Sequence, residues 1–297
     1  MKALISCLLL LVAGTVCACL NKVGTKYGGG SGSYFGWRQL QRALKADLHF
    51  DGMEMEATLR TATNFTDRSD YAVALMYLGR ASEAVELLQR LETERPGEYF
   101  VAANLGTAYE LAGNNQAAWQ WIREGIRRNP ASHEGTEWLH VKILEAKISQ
   151  QKEPAFFEHH SVLELQPEDI QEKIVIETNR FAPKKLIAAI QHQLAERLQF
   201  VKPPDAAVAS LLYDYAVIEA ATASMESARH ILAMATEYGY PAAKVNMLNQ
   251  AMDRRLAWNK AKTFLLYGLA GSAILAVLVI LYRRGIFVLS RKRPTES

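Results

Sequence analysis

His133, Glu137 and His140 stand at i, i+4 and i+7, a spacing that puts two imidazoles and a carboxylate on one face of a helix. Those donor types hold zinc and related divalent metals. No fourth ligand is evident beside them, and His140 falls at a position that packs against a partner helix. The plainer reading is one capping or exposed histidine and one packed histidine, with a metal-dependent activity as the alternative. Ser149-Gln150-Gln151-Lys152 has the spacing of a serine–lysine acyl-transfer pair. It lacks the Ser-Asp-Asn and Lys-Thr-Gly companions that this chemistry uses. His159 and His160 are adjacent, point in different directions and suit an exposed loop. The run Tyr27-Gly28-Gly29-Gly30-Ser31-Gly32-Ser33 lacks the lysine and the strand–loop–helix setting of a phosphate loop and reads as a flexible tether. Asn64-Phe65-Thr66 is a glycosylation sequon by pattern only. No nucleophile elbow, dinucleotide fingerprint or zinc-helix motif occurs. A non-enzymatic protein without a cofactor is expected.

The elements that must carry these residues are bracketed by two apolar segments. Cys7, Cys17 and Cys19 are the only cysteines, so the body folds without disulfides or thiolate metal sites. Lys2, the apolar run from Ala3 to Val16 and the small residues before Cys19 read as a secretory signal peptide over 1–18. Val16, Ala18 and Cys19 resemble a bacterial lipobox, with Cys17 atypical at the position between, and Cys19 is the expected lipidation site. Thr263 to Tyr282 is 20 consecutive uncharged residues, about 30 Å as a helix and enough to cross a bilayer. Gly268, Gly271 and Ser272 offer small residues for helix association. Five basic residues lie on each side of this span within reach of the membrane, so charge does not orient it. The signal peptide does, placing 20–262 outside the cytoplasm and the tail inside. Of the formal charge of +3, Lys2 and the basic tail from Arg283 supply more than the whole. The remaining body is mildly acidic, without a footprint for nucleic acid.

One pattern is written twice at a spacing of 34. Leu105, Gly106, Tyr109, Ala118, Ile122 and Pro130 match Tyr71, Ala72, Leu75, Ala84, Leu88 and Pro96, and the turns repeat as Leu78-Gly79-Arg80 and Ala112-Gly113-Asn114. This period and these small and large positions resemble the tetratricopeptide repeat, a helix–turn–helix unit that stacks into a solenoid. The resemblance covers 65–150, with a degenerate hairpin at 205–241 through Leu212, Tyr215, Ala216, Ala228, Leu232 and Ala235, and is interrupted at Lys152. It implies a partner groove lined by the first helix of each unit. Thr66, Ser69, Asp70, Val73 and Met76 come from the first unit, and Phe100, Ala103, Asn104, Thr107 and Glu110 from the second. A third helix supplies Glu134, Glu137, Trp138, Val141 and Leu144. Family members with a carboxylate clamp use lysines, an arginine and asparagines there. Asn104 fits one such position; Ser69, Val73, Glu134 and Trp138 do not, and a mixed apolar and acidic groove points to an amphipathic or basic peptide.

The expected architecture is all-α: a short tetratricopeptide-type solenoid with an irregular helical extension and one C-terminal transmembrane helix. A tether at 19–34 leads to helices within 35–64, one from about Phe35 to His49 and, after a break at Asp51-Gly52, another from Met53 to Thr63. The array at 65–150 is expected to end in a helix from His133 to Ile148. A connector at 151–204 holds a helix starting near Pro183. A hairpin and juxtamembrane helix at 205–262, the span at 263–282 and a basic tail at 283–297 complete the chain. The expected role is a scaffold of the bacterial inner membrane with a periplasmic body, binding another envelope protein. A relay to the cytoplasmic tail is a further alternative.

Overall fold

A computed structural model describes residues 22–23, 37–45, 48–165 and 183–284. The expected signal peptide over 1–18, Cys19, the glycine run expected to be a tether and the basic tail beyond Arg284 lie outside the described residues. Among the described residues the protein is all-helical, with twelve α-helices, one 3-10 turn and no strand. In chain order these are α1 (Trp37–Lys45), α2 (Leu48–Leu59), α3 (Phe65–Tyr77), α4 (Ala81–Glu94), α5 (Tyr99–Leu111) and α6 (Asn115–Arg128). A 3-10 turn at Ser132–Gly135 precedes α7 (Glu137–Lys152), α8 (Phe156–His159) and α9 (Pro183–Phe200). α10 (Ala206–Thr222), α11 (Met225–Glu237) and α12 (Ala242–Arg283) follow.

The boundaries of α3 and α4 recur in α5 and α6 at an offset of 34 at every end. So does the chemistry of the turns. Gly79 (φ +73°) and Gly113 (φ +84°) occupy the left-handed region, where glycine carries no Cβ penalty. At the first turn the N–H of Arg80 donates to Leu75 O (2.8 Å); at the second, Asn114 N–H donates to Tyr109 O (2.9 Å). The hairpin interfaces follow the small-residue positions. Ala72, Ala84 and Ala118 are fully buried, and a Cβ added to Gly106 would lie 2.4 Å from Ile122 Cδ1. α2 to α7 pack in sequence, each on the next, while α9 packs on α1, α7 and α10, and α10 on α11. The core of α2 to α5 is closed by Leu59, Leu75, Leu88, Leu91 and Leu105, with Phe200 of α9 packed against it.

Three expectations need correction. Asp51 and Gly52 lie inside α2 rather than breaking a helix, and α1 ends at Lys45. The reason is close approach: a Cβ on Gly52 would sit 2.8 Å from Tyr77 Cβ, so glycine here admits α3. The helix expected from His133 starts at Glu137, because His133 (φ +49°) and Gly135 (φ +72°) take left-handed backbone in the 3-10 turn. That helix then runs on to Lys152 rather than ending at Ile148. Among the described residues, the four-residue α8 is the next helix after α7, and α9 follows from Pro183. Pro183 opens α9, and Asp205 caps α10 by accepting from Val208 N–H at 2.8 Å.

The chain divides into a unit ending at Leu248 and another beginning at Asn249. The described part of the second is one continuous stretch of helix. α12 spans 42 residues with a mean hydropathy of 2.5 over its most apolar window, and Phe264 (83%), Tyr267 (75%) and Ile274 (62%) are exposed. It is long and apolar enough to cross a membrane.

Candidate functional site

The face expected to line an open groove is buried. Ser69, Asp70, Val73, Met76, Ala103, Asn104, Thr107, Glu110 and Glu137 are all in the interior, whereas Phe100, Trp138 and Val141 are half-buried. The cover comes from the chain itself. α9 brings Arg197 onto Glu110, with Nη1 at 2.6 Å from Oε1 and Nη2 at 3.1 Å from Oε2. Phe200 stacks on Tyr77 with ring centroids 4.9 Å apart. Near the amino terminus, Val23 N–H donates to Asp70 Oδ1 at 2.7 Å. Asn104, the one residue matching a carboxylate clamp, donates to Ser69 Oγ at 3.3 Å. An open peptide groove along this face is therefore replaced by an intramolecular interface. The physical cause is legible in the side chains: a face of apolar residues and two buried glutamates is stable only when apolar bulk and cations cover it.

Beside that interface lies a buried cluster of histidines and glutamates. His133, Glu137 and His140 do come together, joined through Glu137. Its Oε1 is 2.9 Å from His133 Nδ1 and its Oε2 is 3.5 Å from His140 Nδ1. His140 Nε2, however, faces Glu110 Oε2 at 2.8 Å, and Lys147 Nζ donates to Glu110 Oε1 at 2.8 Å. The third imidazole beside His133 is instead His192, from α9. His192 Nε2 is 2.8 Å from Glu196 Oε1, which is also 3.5 Å from His133 Nδ1. Donor atoms of His133, His192 and Glu196 all lie within 4.8 Å of one another. The sequence held a signal for this: His192-x-x-x-Glu196 repeats the spacing of His133-x-x-x-Glu137.

The electrostatics are those of a charge network closed on itself. Burial opposes the charge on Glu110, but Arg197, Lys147 and His140 hold its carboxyl well below the usual range. Burial likewise opposes charge on Glu137 and Glu196; His133 and His140 offset it at the first, His192 and His133 at the second, and both carboxyls are lowered. Burial would lower His133, yet Glu196 and Glu137 raise it to about 11. His192 is raised by Glu196, and His140 by Glu110 and Glu137, each against burial and, for His140, against Arg197.

A second polar centre holds the segment after α8. Asp214 of α10 accepts from Ser161 Oγ (2.7 Å) and Leu163 N–H (2.8 Å), and Ser210 Oγ accepts from Val162 N–H (3.0 Å). His160 is exposed and stacks on Phe156, as a loop histidine should. Lys152 of the Ser-x-x-Lys stretch is exposed at the end of α7.

No family model, no curated protein and no solved structure matches this chain.

Proposed function

We propose that this chain is a membrane-anchored helical-repeat protein of the tetratricopeptide type. Its role is that of a non-enzymatic scaffold of the bacterial envelope. The observation that carries the reading is the 34-residue recurrence of helix ends, glycine turns and small packing positions across α3 to α6, joined among the described residues to an exposed apolar helix long enough to span a bilayer. Repeats of this kind present rigid helical surfaces to other proteins. The lipobox-like Val16 to Cys19 and the apolar span would hold the body at the inner membrane on its outer side.

The buried face changes where a partner would sit. With α9 across the first helices, the accessible part of that side is its rim, where Phe100, Trp138 and Val141 are half-buried. An amphipathic or basic segment of another envelope protein would pack its apolar side there. In-cell photocrosslinking tests the reading: a photoreactive residue is placed at Trp138 in the full-length, membrane-anchored chain, with Glu86 on α4 as a control position. A discrete adduct with an envelope protein from Trp138 but not Glu86 is expected. Adducts from neither position, in well-expressed protein, would contradict a scaffold acting through this rim.

A further inference from the structure

We propose that His133, His192, Glu196 and Glu137 form a four-coordinate site for a divalent transition metal, zinc foremost, that fastens α9 to the 3-10 turn and α7. The donor set is the first argument. Two imidazoles and two carboxylates are the ligands such a metal takes, and the bonds of about 2.0–2.1 Å to each would set donors about 3.3–3.4 Å apart in a tetrahedron. The separations here are 2.8 Å (His192 to Glu196), 2.9 Å (His133 to Glu137) and 3.5 Å (His133 to Glu196). His133, His192 and Glu196 thus offer donors already near that edge, and Glu137, which reaches His133 but not both of the others, would turn toward them to complete the set.

The second is the surround. Glu137 Oε2 reaches His140 Nδ1 at 3.5 Å, His140 Nε2 faces Glu110, and Glu110 is held by Arg197 and Lys147. This is the outer layer of hydrogen-bonded partners that orients metal ligands. His133 also holds left-handed backbone (φ +49°), an uncommon conformation for a non-glycine residue. With Glu137 as the fourth donor no coordination position is left for substrate, so the site is structural rather than catalytic.

The test uses the full-length chain, purified in detergent without a polyhistidine tag, stripped with a chelator and titrated with Co2+ and then Zn2+. One Co2+ per chain with the visible bands of a tetrahedral N/O site is expected, displaced by Zn2+, with a higher melting temperature. H133A and H192A should each weaken binding at least about tenfold, while H160A, at the exposed histidine, should leave it unchanged. If an alanine variant fails to fold, H192Q and the wild-type cobalt spectrum carry the test. Absence of stoichiometric binding by the wild-type chain, or binding unaltered in H133A and H192A, would overturn the site and leave the cluster as an ion-pair network alone.

Discussion

Asp214 and Glu110 are both buried carboxyls, and the fold treats them in opposite ways. Glu110 has two cations and a histidine against it and is held ionised. Asp214 has only neutral donors in direct contact, with Glu164 and Lys244 acting on it from further away, and burial pushes it up to about 7 from 3.8. The sign of the linkage follows. Between those two values the unfolded chain has lost the proton that the folded chain keeps, so Asp214 makes stability fall as pH rises. We expect the melting temperature of the full-length protein to drop from pH 5 to pH 8, and D214N to have a shallower slope. The carboxyls of the histidine cluster are lowered and titrate below this window. His133, raised to about 11, loses its own contribution as pH rises above the unfolded histidine value, so the variant comparison isolates Asp214. An unchanged slope in D214N would refute the assignment. At this scale the sequence disclosed half of the cluster. His133 and Glu137 are close in the chain, but His192 and Glu196 arrive on α9, and no local spacing states which helix α9 will lie against.

At the scale of the helix, the small-residue positions decide how near neighbours come. Gly106 leaves no room for a methyl group, with Ile122 Cδ1 at 2.4 Å and Cγ1 at 2.6 Å from where it would stand. G106A should therefore destabilise the body by about 1–3 kcal/mol through overpacking, read by chemical denaturation. A double variant G106A/I122V should recover part of the loss, since it trims the atom that clashes. Equal loss in both would indicate helix or backbone effects instead. The period, the glycine turns and the closing prolines are local signals, which is why the recurrence of α3 and α4 in α5 and α6 at an offset of 34 was legible in the sequence. Gly52 was misread because glycine breaks a helix in one setting and admits a neighbour in another; only the presence of Tyr77 across from it distinguishes them.

For the whole molecule, two properties matter: an exposed apolar helix and a repeat face closed by the chain's own α9. Together with the proposed signal peptide over 1–18, the first predicts sidedness. A cysteine introduced at exposed Glu86 should be labelled by a membrane-impermeant maleimide in intact spheroplasts, whereas protection until lysis would place the body in the cytoplasm. The second could not be read from a pattern, since pairing of Glu110 with Arg197 joins residues 87 apart. It also turns an apparent peptide groove into an internal interface. A double-mutant cycle at Glu110 and Arg197 tests it most directly, using E110A, R197A and the double variant in equilibrium unfolding of the full-length chain. E110A removes the bidentate partner of buried Arg197 and should cost about 3–5 kcal/mol, whereas R197A leaves Glu110 its contacts to Lys147 and His140 and should cost less. The double variant should cost less than their sum by at least about 1 kcal/mol. Additivity within about 0.5 kcal/mol, the behaviour of sites that do not touch, would mean that α9 does not lie across the repeats.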